Sequence, residues 1–192
     1  MTVAYQGEPG AYSEAAAHAR FGPDAEAAGH ATFAGAVQAV RHGAADAAVI
    51  PVRNSATGTV VPGAEAVAGG LRGGLHADGE IALPIRHALL ALPGTALGAV
   101  RTVESHPEAL RQCARWLGAA LAAADVRPGP AAAPDTAGAA RDLAARQDPR
   151  GAAIAHRAAA ARYGLAVLAD GIQDDPDNVT TFVVLVRPGA GA

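Results

Sequence analysis

Short apolar runs alternate with helix-length stretches along this 192-residue chain. Seven runs have the length and residue types of strands: 3–5, 47–52, 81–92, 100–103, 152–155, 166–168 and 182–186. Four stretches between them carry helical signals: 13–20, 33–40, 107–121 and 137–146, the last with Asp135 or Thr136 as its cap. Strands that alternate with helices are typical of α/β proteins, in which helices cover a sheet. The pattern therefore predicts the α/β class.

Two Gly- and Pro-rich segments interrupt this alternation. We interpret 69–79 as a crossover between two lobes and 127–134 as a surface loop, because neither has the composition of a long linker. The segment GIQDDPDN, at 171–178, provides a second crossing. The expected organisation is one lobe of residues 1–78 plus 175–192 and a second lobe of residues 79–174.

The composition excludes several classes of partner. The net charge is −3, and no cluster of Lys and Arg offers the basic face that nucleic acid or a membrane surface requires, so a small molecule is the expected partner. One cysteine permits no internal disulfide, and the seven histidines lack metal-ligand spacing. No apolar run approaches the roughly 20 residues that cross a bilayer, and Met1 leads directly into VAYQG. These observations predict a cytoplasmic protein without a metal.

The segment GEPGAYSEAAA, at 7–17, follows a predicted strand and opens a helix. Its backbone N–H groups can receive an anion with help from Ser13. Glycine is also used at strand-to-helix turns for purely steric reasons, which remains the alternative.

A second polar segment, IPVRNSATGTV at 50–60, places Asn54, Ser55 and Gly58 directly after a buried-type strand. Side chains at the carboxyl end of a strand commonly reach a ligand. A turn with an Asn or Ser cap accounts for the same residues without a ligand.

Two further places carry candidate residues. In ESHPEALRQCARWL, at 104–117, His106 precedes Pro107 at a helix start, so a cap or wall residue is favoured over a base, and Cys113 lies on the apolar face as a core residue. Thr180 and Thr181 open the last apolar run. Because β-branched residues suit strands, the two threonines are explained either by chemistry or by strand propensity.

The order of these segments resembles the catalytic domain of the prephenate dehydratase family, nearly end to end. The matching segments are VAYQGEPGAYSEAAA, GAADAAVIPVRNSATGTV, GEIALPIRHALLALPG, ESHPEALRQCARWL, DTAGAA and AAIAHRAAAARYGLAVLADGIQDDPDNVTTFVVL. The resemblance implies two α/β lobes similar to periplasmic binding proteins, an active-site cleft between them, and a homodimer. Family members convert prephenate to phenylpyruvate with loss of CO2 and water, and they need no cofactor because aromatisation drives the reaction.

The resemblance also implies roles for individual residues. Thr180 stands at the family's catalytic threonine, whose hydroxyl donates a proton to the departing hydroxyl in a dry cleft. Ten other residues at matching positions are expected to bind the substrate: Ser13, Arg53, Asn54, Ser55, Gly58, His106, Thr136, Ala137, Thr181 and Phe182.

The sequence departs from the family at three motifs, one of which is the Ser-Thr-Ala motif, whose serine is Asp135 here. The family's Thr-Arg-Phe is Thr180-Thr181-Phe182 here, and its Glu-Asn-Ser is Arg53-Asn54-Ser55. A hydroxyl cannot replace a guanidinium, which holds a carboxylate by two charge-assisted hydrogen bonds. We expect Arg53 to supply the missing cation. Thr181 is expected to face away from Thr180 and to contribute chiefly strand stability, because successive strand side chains alternate.

Dehydratase activity is favoured because Thr180, Asn54, Ser55 and Gly58 are retained. Family chains commonly continue into a phenylalanine-binding regulatory domain, whereas this chain stops at Ala192, so we expect no regulation by phenylalanine. Some relatives without that domain decarboxylate prephenate without aromatising it and keep the hydroxyl, which is the first alternative. The second alternative is a non-catalytic small-molecule binding protein.

Overall fold

The computed structural model describes residues 1–128 and 135–189 and divides the chain into two compact units. The first unit contains Met1–Glu8, Tyr12–Ile85 and the chain from Asp177 onward, and the second contains Pro9–Ala11 and Arg86–Pro176. Each unit has its own sheet with helices packed against it. The predicted α/β class is confirmed.

The helices and strands of the described residues follow one another in this order: β1 Thr2–Gln6, α1 Tyr12–Phe21, β2 Glu26–His30, α2 Phe33–Arg41, β3 Ala47–Asn54, β4 Gly58–Thr59, α3 Val61–Arg72, β5 His76–Pro84, β6 His87–Ala91, β7 Thr102–Ser105, α4 Pro107–Gln112, α5 Ala114–Ala120, β8 Asp125–Pro128, α6 Thr136–Arg146, β9 Gly151–His156, α7 Ala158–Tyr163, β10 Ala166–Asp170 and β11 Val179–Val186. A short 3-10 helix also covers Leu97–Ala99. None of these helices is long and apolar enough to span a membrane.

The sheet of the first unit has the strand order β2-β1-β3-β11-β5, with β4 paired to β3. Strands β1, β2 and β3 are parallel, and β11 runs antiparallel to both β3 and β5. One face packs on α1, where Ala16 and Ala17 meet Phe182 and Val184. The other face packs on α2 and α3. The last strand of the chain therefore lies beside the strand that ends at Asn54.

The sheet of the second unit has the order β10-β6-β9-β7-β8. Helices α4 and α5 cover one face, and α6 and α7 cover the other. Alanine dominates the core on the side of α6 and α7, which contains Ala88, Ala139, Ala140, Ala153, Ala155, Ala159 and Ala160. With so few large side chains, this core depends on a close approach between the backbones of helix and sheet.

The structure corrects the predicted lobe boundaries. The run 81–92 was expected to be one strand, yet it forms the end of β5 and the whole of β6, which belong to different sheets. Strand β5 pairs with β11 along its length, so residues up to Ile85 belong to the first unit rather than ending at residue 78. The return to the first unit comes after Pro176 rather than after residue 174.

The helix predicted over 107–121 is two helices that meet at Cys113. The carboxylate of Asp174 accepts hydrogen bonds from the backbone N–H groups of Arg115 (3.0 Å) and Trp116 (3.2 Å). The backbone N–H of Asp174 also donates to the carbonyl oxygen of Gln112 at 2.7 Å. A carboxylate that takes the first N–H groups of a helix acts as its cap, so Asp174 starts α5 and interrupts the longer helix.

Three strands and two helices were not predicted from the sequence, namely β2, β4, β8, α3 and α7. Strand β2 has the sequence EAAGH and lacks an apolar run, while α3 contains a proline and three glycines. A Cβ at Gly63 would lie 1.8 Å from the carbonyl oxygen of Pro51, so this glycine allows α3 to lie directly on β3. The expected crossover at 69–79 is therefore the end of α3 and the start of β5.

The predicted surface loop at 127–134 begins inside a strand, because β8 extends to Pro128. Residues 129–134 lie outside the described residues.

Candidate active site

Polar side chains gather at the edge of the first sheet where β3 ends and β11 begins. Because β11 is antiparallel to β3, its second residue, Thr180, pairs with the last residue of β3, Asn54. Both side chains are buried, and Thr180 is 8 % exposed. The topology thus brings together two residues that are separated by 126 positions in the sequence.

The amide nitrogen of Asn54 faces only acceptors. Its Nδ2 donates to Oδ1 of Asn178 at 2.7 Å, to Oγ1 of Thr180 at 2.9 Å and to the carbonyl oxygen of Val179 at 3.3 Å. Short distances to the first two oxygens assign one hydrogen of the amide to each of them. Asn54 therefore joins Asn178 and Thr180 through a single amide group.

The amide oxygen of Asn54 faces only donors. Its Oδ1 accepts from the backbone N–H groups of Ala56 at 3.0 Å and Thr57 at 3.1 Å, and from the Thr57 hydroxyl at 3.3 Å. This geometry is an Asx turn, which fixes the orientation of the amide from the oxygen side. Asn54 was expected to bind substrate, and in the structure both ends of its amide form hydrogen bonds within the chain.

Ser55 also forms hydrogen bonds to the residues at the start of β11. Its hydroxyl accepts a hydrogen bond from the N–H of Val179 at 2.9 Å and donates to the carbonyl oxygen of Asp177 at 3.4 Å, while its own N–H donates to the carbonyl oxygen of Val179 at 2.8 Å. We call Asn54, Ser55, Asn178 and Thr180 the Asn54 cluster.

Within the Asn54 cluster, the hydroxyl of Thr180 acts as an acceptor. Because Oγ1 receives a hydrogen from Asn54, the hydrogen of the hydroxyl itself is available for donation to another oxygen. Thr180 is therefore set up as a hydrogen-bond or proton donor.

Thr181 faces the other side of the sheet. Thr180 shares its face with Phe182 and Val184, which pack against α1, whereas Thr181 shares its face with Val183, which packs against α2 and α3. Arg53 pairs with Thr181 across the strands, so it lies on the face of Thr181 and not on the face of Thr180. Its side chain is exposed.

Three more residues expected to bind substrate belong to the first unit. Ser13 is buried near the start of α1, the helix that covers the face of Thr180. Gly58 has φ +82, a conformation that other residues rarely adopt, so its contribution is to the turn between β3 and β4. Phe182 is 1 % exposed within the apolar core, and we assign it to packing instead of substrate binding.

The remaining expected residues lie in the second unit, at helix starts. His106 is exposed and caps α4, because its Nδ1 accepts from the N–H of Glu108 at 3.2 Å. Thr136 and Ala137 open α6, whose cap is Asp135, with Oδ1 accepting from the N–H of Gly138 at 2.8 Å. Ala137 is fully buried, so only its backbone can face a ligand.

A polar chain in the second unit was missed by the sequence analysis. Nε2 of His87 lies 2.9 Å from Oε1 of Gln112, whose Nε2 donates to Glu108 at 3.0 Å, and Glu108 also pairs with Arg111 at 2.6 Å. Burial lowers the pKa of His87, and nearby His156 acts in the same direction, whereas the hydrogen bond to Gln112 opposes it. The sequence feature that could have indicated this polar chain is His87 itself, a histidine at the start of the otherwise apolar strand β6.

Other reactive groups are accounted for by packing. Burial and then the charge of Asp174 raise the pKa of the Cys113 thiol to about 12, so this core cysteine stays protonated at neutral pH. Among residues 1–128 and 135–189, no three His, Cys, Asp or Glu side chains are grouped to hold a metal ion.

Comparison with known families identifies the chain. Residues 3–190 match the family model described as prephenate dehydratase. The chain belongs to the prephenate dehydratase family. A solved prephenate dehydratase from Arthrobacter aurescens, in complex with L-Phe, is 36% identical and has a TM-score of 0.87, with 98% of this chain and 61% of that chain covered.

Two plant proteins are also similar to this chain. Arogenate dehydratase 1 of Petunia hybrida is 46% identical over 187 residues, which cover 97% of this chain and 42% of the petunia protein. Arogenate dehydratase/prephenate dehydratase 6 of Arabidopsis thaliana, named as chloroplastic, is 45% identical over 187 residues, or 97% of this chain and 43% of the relative. The chain spans less than half of the length of these relatives.

The expectation of a cytoplasmic protein is wrong. Several similar enzymes of Arabidopsis thaliana are named as chloroplastic, which points away from the cytoplasm. The expectation depended on how the chain begins, and a chain that spans part of its relatives gives no information about a leader.

Proposed function

We propose that this chain is the catalytic domain of a carbon–oxygen lyase that removes CO2 and water from prephenate or arogenate. The observation that carries the proposal is the Thr180 hydroxyl, which accepts from Asn54 at 2.9 Å and keeps its own hydrogen for a leaving oxygen. Family membership and the names of the relatives supply the class of reaction and of substrate.

The reaction moves one pair of electrons across the ring. The bond to the ring carboxylate breaks, CO2 leaves, and the electrons displace the hydroxyl from the opposite ring carbon. The departing oxygen gains negative charge, so a donor directed at it lowers the barrier. Thr180 gives its proton as that oxygen becomes basic, the hydroxyl leaves as water, and the threonine oxygen regains a proton from solvent. Aromatisation supplies the driving force, and the step needs no cofactor.

Arg53 is proposed to hold a substrate carboxylate in place of the arginine of the family's Thr-Arg-Phe motif, where this chain has Thr181. The cross-strand register supports this, because Arg53 and Thr181 are direct partners on one face of the sheet. The register of β3 and β11 shifts directly after Thr181, and Arg53 is the partner of Thr181 just before that shift, so an arginine at 53 starts near the position of an arginine at 181. The exposed side chain is also free to turn toward a ligand.

The choice between prephenate and its amino-acid analogue arogenate concerns the side chain of the substrate and not the ring chemistry. The petunia relative is named for arogenate alone, and the Arabidopsis relative is named for both substrates. We therefore propose activity on both, with phenylpyruvate formed from prephenate and phenylalanine formed from arogenate.

Product analysis tests this function. The protein is incubated separately with prephenate and with arogenate near neutral pH, and the products are separated by liquid chromatography with mass detection. Release of CO2 with an aromatic product supports the proposal. Release of CO2 with a non-aromatic keto acid that keeps the hydroxyl identifies the non-aromatising decarboxylase. No turnover of either substrate, with binding detected by calorimetry, identifies a binding protein.

We also propose, on the family resemblance alone, that the protein is a homodimer. Light scattering on a size-exclusion column measures its mass, and the mass of a single chain across a range of concentrations contradicts the proposal.

A further inference from the structure

Asn178 is the most buried polar member of the Asn54 cluster. It lies directly before β11 and is 2 % exposed. Its Oδ1 accepts from Nδ2 of Asn54 at 2.7 Å, and its backbone carbonyl oxygen accepts from the N–H of Ile85 at 2.8 Å. The side chain and the backbone of Asn178 therefore anchor the segment that leads into Thr180.

We propose that Asn178 is a positioning residue for the reaction, and that it acts on Thr180 through the amide of Asn54. This inference rests on the proposed function. Asn178 does not need to touch the substrate: its oxygen holds one hydrogen of Asn54 Nδ2, which directs the second hydrogen to Thr180 Oγ1. The threonine then acts only as an acceptor toward Asn54, and its proton is directed to the leaving oxygen.

The geometry explains why the second contact is needed. The turn at Ala56 and Thr57 fixes the oxygen of the Asn54 amide, but the nitrogen end is held only by its acceptors. Without Asn178 Oδ1, a buried N–H loses its acceptor, and the amide moves to find another. The carbonyl oxygen of Val179, already at 3.3 Å, is the nearest replacement. Such a movement draws the second hydrogen away from Thr180 and leaves its hydroxyl free to rotate.

A double-mutant cycle tests the proposal through kcat. Asn178→Leu keeps the approximate size of the side chain and removes the acceptor. We expect kcat to fall about 10- to 100-fold, because displacing a reacting group by up to about 1 Å causes a loss of this order. KM should remain nearly unchanged. In a protein that already carries Thr180→Val, the same change should lower kcat no further, because the hydroxyl that it positions is absent.

Two variants separate positioning from a structural effect. Asn178→Asp keeps an oxygen acceptor at the same place, so it should retain clearly more of the kcat than Asn178→Leu does, while the buried carboxylate lowers the melting temperature. Arg187→Met is the matched control, because Arg187 follows the other end of β11 and donates to the carbonyl oxygens of Val40 and Ala45, both at 2.6 Å. It should lower the melting temperature without lowering kcat. Asn178→Ala takes the place of Asn178→Leu if the leucine variant does not fold.

The outcomes are distinct from those that test the function. If the wild-type protein turns over neither substrate, the function and the positioning role both fail. If the wild type is active but the losses from Asn178→Leu and Thr180→Val multiply in the double variant, the function stands and the positioning role is overturned. A loss of kcat in Asn178→Asp as large as that in Asn178→Leu also overturns it, because the acceptor oxygen is then not the feature that matters.

Discussion

Replacing Thr180 with valine tests the centre of the proposed mechanism. The substitution keeps the branched shape of the side chain and removes the hydroxyl, so the packing of β11 next to Phe182 is preserved. If the hydroxyl donates a proton to the departing oxygen, kcat should fall by roughly 10²–10⁴, the usual contribution of a general acid. KM should change little, because the donor matters chiefly when charge develops on the leaving oxygen.

The structure also limits the effect of this substitution on stability. Without Thr180 Oγ1, one hydrogen of Asn54 Nδ2 stays on Asn178 Oδ1 at 2.7 Å, and the other has only the more distant carbonyl oxygen of Val179, at 3.3 Å, as its acceptor. The loss should therefore be about 1 kcal/mol, the net value of an ordinary hydrogen bond. For a chain of this size that corresponds to about 2–4 °C in melting temperature.

Thr181→Val is the matched control for this experiment, because the same atoms are removed from the next residue on the opposite face. Formation of phenylpyruvate or phenylalanine gives kcat and KM for both variants, and circular dichroism gives their melting temperatures. The reasoning is refuted if Thr180→Val retains nearly the wild-type kcat, or if Thr181→Val loses as much as Thr180→Val.

Three other predictions follow from the geometry. Arg53→Ala should raise KM about 10- to 100-fold, which corresponds to the loss of a charge-assisted hydrogen bond to a carboxylate. The melting temperature should not change, because the side chain is exposed. An unchanged KM means that Arg53 does not replace the arginine of the family motif in binding the substrate. Asp174→Ala should lower the free energy of unfolding by about 0.5–2 kcal/mol in urea titrations, because α5 loses the carboxylate that caps the N–H groups of Arg115 and Trp116. A free energy of unfolding equal to that of the wild type contradicts the capping role. The pKa of His87 is lowered in the folded protein, so its contribution to stability is present above its ordinary pKa of 6.5 and is lost as the pH falls from that value through the folded pKa. A His87→Phe variant should therefore show a smaller fall in melting temperature than the wild type when the pH is lowered over this range. Identical pH profiles for the two proteins refute the assignment.

The sequence alone predicts well the features that depend on neighbouring residues, and it predicts poorly those that depend on contacts between distant parts of the chain. Strands such as β1, β3, β9 and β11 are visible as apolar runs, and the cap of α6 at Asp135 is a local signal. The interruption at Cys113 has a different origin, because the residue that causes it, Asp174, lies about sixty positions away. A pattern within a single segment contains no information about a cap that arrives from another part of the chain.

The candidate site shows the same division. Asn54 and Thr180 were both singled out from their positions at strand ends, but their pairing depends on the order of strands in the sheet. Asn178 was not selected, because an asparagine in a polar loop segment has no local feature that distinguishes a buried hydrogen-bonding role. The face occupied by Arg53 follows from its register with Thr181, which only the paired strands define.

The alanine-rich core between α6, α7 and the second sheet determines which substitutions the second unit tolerates. Replacing one of these alanines with glycine costs about 0.5–1 kcal/mol within a strand or helix, whereas adding methylenes to a well-packed core costs about 1–3 kcal/mol. Saturation mutagenesis should therefore give a profile opposite to that of a leucine-rich core, with valine and leucine more damaging than glycine or serine at Ala153 and Ala155. In the core of the second unit, the largest side-chain volume that fits limits which residues are accepted. We expect substitutions to be tolerated at the surface of this unit more readily than at these core alanines.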